Sequence, residues 1–198
     1  TEAYAMNQDG FDLSASENAS NVESIELLYE DENGSWEIVE SGNTDKISPN
    51  KLFRFDVNYK DIQIQNLIST YNCTLKYTIP DIFRDATVDG NIMVGTEKVG
   101  SIDVVDGVTY VKFNEDYLTR LNKEGSTTIK GDFYVTAKIN LSKLPGDGRL
   151  TINAANKLYY FNFENDAVAK YGEVTVDKQC TSQKVISNDT GDYLAYTI

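Results

Sequence analysis

The chain has no histidine, two cysteines, three prolines and one tryptophan in 198 residues. Without histidine it lacks the commonest general base, the Ser-His and Cys-His nucleophile systems, and most zinc chemistry. The two cysteines, Cys73 and Cys180, form no CxxC pair and cannot make a structural zinc site alone. Three prolines and thirteen glycines leave no room for a collagen-like or linker-type chain. No run of about 20 apolar residues occurs, so insertion into a membrane as a helix is not expected. Positive charge is also scarce: 18 Lys and Arg stand against 31 Asp and Glu, a net charge of −13. That argues against nucleic acid, whose phosphates are held by Lys and Arg, and against anionic membrane surfaces. The acidic residues are spread along the chain, which reads as solubility and self-repulsion. A functional acidic patch for a basic partner or for Ca²⁺ is the other reading.

Apolar residues make up 40% and charged residues 25%, the composition of a globular protein. The length suits one large β-sandwich, or one domain plus part of another. Residues 1–21 are small and polar and read as a leader or extended arm, with Phe11 and Leu13 able to pin it to a surface. The segment Thr1-Glu-Ala-Tyr-Ala5 carries the Ala-x-Ala pattern of a signal-peptide end. Strand patterns then follow at 22–30, 35–39, 52–59, 71–79, 88–94, 98–105, 108–113, 127–141, 150–155, 158–163 and 173–176. Asn33-Gly34 and Asp106-Gly107 mark hairpin turns. Phe53, Phe55, Val57 and Tyr59 share one face of their strand, as do Tyr71, Cys73, Leu75, Tyr77 and Ile79 of theirs. The stretch 114–122 is the one convincing helix: Asn114 can cap it, Glu115 and Asp116 suit its first turn, and Leu118 and Leu121 lie three apart. Many short strands without βαβ spacing predict an all-β, Ig-like antiparallel sandwich with one short helix over 22–177. Residues 178–198 read as a linker and the first strand of a following domain, or as a latch-like C-terminal strand.

The densest aromatic cluster is Tyr159, Tyr160, Phe161 and Phe163. Alternation sets Tyr159, Phe161 and Phe163 on one face and Tyr160 on the other. Such a cluster can stack on a sugar or dock a peptide, but sandwich core and edge packing is the plainer reading. In an oxidising compartment a disulfide joining Cys73 and Cys180 would close a loop of about 107 residues, worth roughly 4–5 kcal/mol on the chain-entropy model; two separate thiols are the alternative. Asp31, Glu32, Asn33 and Glu37, and again Asp85, Asp89 and Asn91, resemble calcium loops only loosely, and the EF-hand order is not met. Asn-x-Ser/Thr triplets at Asn18, Asn33, Asn72, Asn140 and Asn188 fit chance in an Asn-rich chain. No carboxylate pair stands out as a glycosidase centre, and an enzyme is not expected.

Several segments resemble Gram-positive cell-wall-anchored surface adhesins of the collagen- or fibrinogen-adhesin type. Leu75-Lys-Tyr-Thr-Ile-Pro-Asp81 is similar to a strand end of those domains, and Val99-Gly-Ser-Ile-Asp-Val-Val-Asp-Gly-Val-Thr-Tyr-Val-Lys-Phe-Asn114 to one of their hairpins. The helix at 114–122, Gly131-Asp-Phe-Tyr-Val-Thr-Ala-Lys138 and Val174-Thr-Val-Asp-Lys178 follow in the same order. The resemblance implies an N-terminal, Ig-like adhesive domain at the outside of the cell, anchored to the wall through a region C-terminal to Ile198. It implies a host matrix protein, a glycan or another cell as partner, with an adjacent domain of the same surface protein. It also implies a self-formed Lys–Asn isopeptide, in which a buried Lys attacks an amide polarised by a protonated carboxyl. The candidates are Lys51 with Asn153 or Asn156, and Lys178 with an Asn further along. The alternatives are a structural stalk or pilin spacer and a carbohydrate-binding module of a secreted enzyme.

Overall fold

Alternating inward and outward side chains build two five-stranded sheets that close on each other as an all-β sandwich. The computed structural model describes residues 10–154 and 157–165. The front sheet has the order β1-β5-β9-β8-β7, from Phe11–Asp12, Thr74–Thr78, Val108–Phe113, Glu97–Val105 and Asn91–Val94. The back sheet has the order β3-β2-β4-β10-β6, from Trp36–Val39, Val22–Glu30, Phe53–Gln63, Thr128–Ile139 and Phe83–Thr87. A third hairpin joins β11 (Arg149–Ala154) to β12 (Lys157–Asn162). Two α-helices, α1 (Ile64–Thr70) and α2 (Glu115–Lys123), connect strands.

The period of two explains the closure. On β4, Phe53, Phe55, Val57 and Tyr59 are buried while Arg54, Asp56 and Asn58 between them face outward. Phe133, Val135 and Ala137 of β10 join them, and Leu75, Tyr77, Val111 and Phe113 meet them from the front sheet. Tyr77 and Phe133 touch across the interface with ring centroids 6.3 Å apart. Each large apolar side chain so buried contributes about 1.5–3 kcal/mol. Thr109 sits directly opposite Tyr77 on β9, fully buried, and its Oγ1 has no hydrogen-bond partner. A lone buried hydroxyl costs stability. Thr109→Val is therefore expected to be neutral or to raise stability by up to about 1 kcal/mol, read from urea midpoints.

The structure departs from the sequence reading at several points. Residues 10–21 are built into the sandwich rather than forming an arm: β1 pairs in parallel with β5, Leu13 N donates to Lys76 O at 2.8 Å, and the Leu13 side chain has no exposed surface. Two apolar residues in a polar stretch carry no periodicity, so backbone pairing alone reveals this strand. There are two α-helices, not one, besides two short 3-10 turns. Helix α1 is seven residues long, too short for its buried Ile64 and Leu67 to register as a helical pattern. Finally, the expected strand at 71–79 starts only at Thr74. The end of α1 is closed by the Cys73 N–H donating to Leu67 O at 2.9 Å, with Asn72 and Cys73 both at positive φ. The strand expected at 173–176 and the segment 178–198 lie outside the described residues.

Candidate binding trench

Two strand edges face each other on one side of the sandwich. β10 pairs with β4 along most of its length but with β6 only from Thr136 to Ile139. Its edge from Thr128 to Tyr134 meets no strand on that side among the described residues. β7 is the last strand of the front sheet, so its outer edge too meets no strand among the described residues. Exposed strand edges are templates for pairing with another chain. Between these two runs a trench made of two adjoining cavities, about 360 Å³ and 190 Å³, which share Tyr59, Ile92 and Asp132. Phe113 and Tyr59 form the floor towards α2, Val111 and Phe133 the floor at the other end. Tyr117 and Leu121 of α2 close one end, and Asp89 and Asn91 border the other. Met93 and Val94 stand on the β7 lip with about half of their surface exposed, at 51% and 52%.

Local sequence explains the shape. Asn114 takes the cap position of α2, but its side-chain amide donates to Lys98 O at 3.2 Å and so ties the helix to β8 instead of capping it. Gly131 has no side chain because the Tyr59 hydroxyl lies where a Cβ would stand, 2.7 Å away. Tyr59 is only 6% exposed. Burial pushes its phenol well above the ordinary tyrosine value, and the neighbouring Asp132 carboxylate adds to this. Burial raises the Tyr77 phenol too. A phenol raised in the folded state stabilises fully below the unfolded value near 10 and loses that contribution as pH climbs through the folded value. Stability is thus expected to fall above about pH 10, and less steeply in Tyr59→Phe and Tyr77→Phe, in urea titrations between about pH 9 and 11.

The outer face of the back sheet carries a second feature. The Arg54 guanidinium holds Asp56 by two bonds, Nε to Oδ1 at 2.6 Å and Nη2 to Oδ2 at 2.9 Å. It lies 4.0 Å from the Tyr134 ring centre and 5.8 Å from that of Trp36. The hydrogen bond to Asp56 raises the Arg54 pKa further above its ordinary value. Leu28, opposite Arg54 in register, is buried at 8% exposure on this face, and Ile38 beside it is exposed.

The residues singled out from sequence fall elsewhere. Tyr159 and Phe161 point inward with rings stacked 6.4 Å apart, and Phe161 and Phe163 are buried. Tyr160 points outward, half exposed, and its backbone is bonded to Ser41 Oγ and to Gly42 N. The alternation holds, and it prevents Tyr159, Tyr160 and Phe161 from forming one surface. Lys51 Nζ sits 3.4 Å from Glu32 and over the Tyr29 ring, and Asn153 is exposed on β11. Lys51 is half-buried and Asn153 exposed, and among the described residues no lysine is buried. Asn156 and Lys178 lie outside the described residues. Cys73 is a buried thiol whose pKa is raised by burial, and Cys180 is outside the described residues.

The acidic residues of the loose calcium motifs make local contacts. Asp31 Oδ1 accepts from the N–H groups of Asn33 and Ser35 and so closes the β2–β3 turn, while Glu32 faces Lys51. Asp85 pairs with Arg84, and Asp89 accepts from Asn91 N. Among the described residues no group of three or more His, Cys, Asp or Glu could hold a metal ion. The trench itself left no signal in the sequence beyond the positions of the strands that border it. No family model matches the chain, and no curated protein matches it.

Proposed function

We propose that this chain is a non-catalytic extracellular binding module of a bacterial surface protein, and that the trench between β7 and β10 is where its ligand sits. The observation that carries the reading is the trench: an apolar floor between two strand edges that meet no strand among the described residues, with a half-exposed apolar β7 lip. Sheet edges and apolar grooves are the ordinary means by which such modules take hold of other chains. The resemblance to wall-anchored adhesins points the same way, with a host matrix protein or another cell as the partner.

The test is binding of the purified chain to immobilised matrix proteins and glycans, with Met93→Asp and Val94→Asp as variants. Both side chains stand on an edge strand and are half exposed, so thermal stability is expected to change little. Affinity is expected to drop about tenfold or more, since each change removes an apolar side chain from the wall that the ligand would cover and leaves a desolvated polar group there. Unchanged binding in both variants moves the ligand away from the trench. Silence across the whole panel defeats the module reading itself.

A second reading, a carbohydrate-binding module, is favoured by Trp36 and Tyr134 lying on one sheet face beside the Arg54–Asp56 pair. Sugar rings stack on such aromatics. In this structure, however, the Arg54 guanidinium lies over the Tyr134 ring. Sugar binding that is lost in Trp36→Ala and kept in Met93→Asp would favour it.

A further inference from the structure

We infer that the occupant of the trench is an extended, basic peptide segment that adds to β10 as a further strand. The inference rests on the trench being the binding site and names what fills it.

The backbone comes first. Asn140 N donates to Ile82 O at 2.7 Å, and Thr136 and Lys138 are in register with Thr87 and Arg84 of β6. Even-numbered residues of β10 therefore turn their backbone groups towards β6. By strand alternation Tyr134 and Asp132 turn theirs the same way, past the point where β6 ends. The pairing irregularity falls between Thr136 and Lys138, where β6 contributes one extra residue, so the β10 edge keeps its phase. The bare edge from Thr128 to Tyr134 is about 20 Å long at 3.4 Å per residue. A segment of about six residues fits along it, with the β7 lip as the opposite wall.

The side chains specify the rest. Every second residue of an added strand would turn inward over Tyr59 and Phe133, which calls for an apolar side chain there. The end of the trench near Tyr134 carries two exposed carboxylates, Asp89 and Asp132, and no basic side chain lines that cavity. Neither carboxylate is within ion-pair distance of a basic side chain among the described residues, although Asp132 is near enough to Arg54 to add to the raised pKa of that group. Lys130 lines only the other cavity. With −13 on the whole chain, a Lys or Arg of the peptide is drawn to Asp89 and Asp132, and an acidic peptide is repelled.

The experiment titrates the full chain with a nine-residue peptide of alternating Lys and Val, its Glu-for-Lys analogue, and an analogue N-methylated at alternate residues. Amide spectra and calorimetry are the readouts. The basic peptide is expected to shift the amides of Asp132, Tyr134 and β7 and to slow exchange of the Asp132 and Tyr134 N–H groups. N-methylation is expected to weaken binding roughly tenfold or more, because it removes backbone donors. Asp132→Lys is expected to reverse the preference towards the Glu peptide. Unmoved β10 amides, or equal binding of the N-methylated peptide, overturns the inference. If matrix-protein binding is still lost in Met93→Asp while the basic peptide leaves β10 unmoved, the module reading stands and this occupant falls. If the peptide seats on β10 while the matrix panel stays silent, the occupant stands and the adhesive role falls.

Discussion

Phe53→Ala is expected to lower stability by about 3–5 kcal/mol, the range for emptying a fully buried aromatic site. Phe53 has no exposed surface and lies where three parts of the molecule meet. It starts β4, the central strand of the back sheet. Its ring meets Phe83 of β6 edge-on at 6.4 Å and Phe163, next to β12, at 5.7 Å. The alanine would remove the apolar surface and both edge-to-face contacts at once, each worth about 0.5–1.5 kcal/mol beyond burial. Neighbours on the back sheet and beside the β11–β12 hairpin cannot all collapse into the gap, which places the loss high in the range. For a chain of this size a loss of 1 kcal/mol lowers Tm by roughly 2–4 °C. Thermal scans should therefore show a fall of roughly 6–20 °C for the alanine variant. Phe53→Leu should cost distinctly less, since it keeps most of the volume. A loss below about 1 kcal/mol for the alanine variant would mean that Phe163 does not seat against the sandwich in solution.

Gly148→Ala is the second large effect, for a different reason. Gly148 has φ +73, and an added Cβ would run into the Phe163 carbonyl oxygen. The two residues are tied by the backbone: Phe163 N donates to Gly148 O at 2.8 Å, and Gly148 N donates to Pro145 O at 2.9 Å. A left-handed conformation costs an L-residue roughly 1–2 kcal/mol. The overlap is with backbone, which cannot rotate away, and adds roughly 1–3 kcal/mol. The expected total is about 2–5 kcal/mol. Gly34→Ala separates the two contributions, because Gly34 has φ +80 in the β2–β3 turn with nothing near an added Cβ. It should show the conformational cost alone. If urea unfolding gives both variants the same loss, the close approach of Gly148 to Phe163 does not hold in solution.

Strand recognition worked best where burial is one-sided. The pattern over 22–30 became β2 and that over 108–113 became β9, since most inward positions are apolar in both, with Leu28 on the outer face and Thr109 on the inner one as the exceptions. It failed at β6, Phe83–Thr87, where only Phe83 is buried. That strand is held by β10 and not by its own apolar pattern. The cap of α2 shows the same division. Asn114 stands where capping chemistry places it, yet its amide is spent on Lys98 O, a partner that only the packing of β8 against the helix supplies. The aromatic cluster at 159–163 was legible as a cluster and as an alternating one. Its failure as a single surface follows from that same alternation.

Composition and periodicity by themselves determined the all-β class, the order of most strands and the hairpin turns, because period-two burial and turn chemistry are local properties of a chain. They also determined the absence of histidine chemistry and the excess of negative charge. Only the tertiary structure decided where strands lack neighbours. An open edge is a property of partners, not of the strand that bears it: β10 reads as one long strand from Thr128 to Ile139, and nothing in it tells that β6 covers only the last part. Tyr59, Ile92 and Asp132 are far apart in sequence, and sheet order alone brings them to one trench.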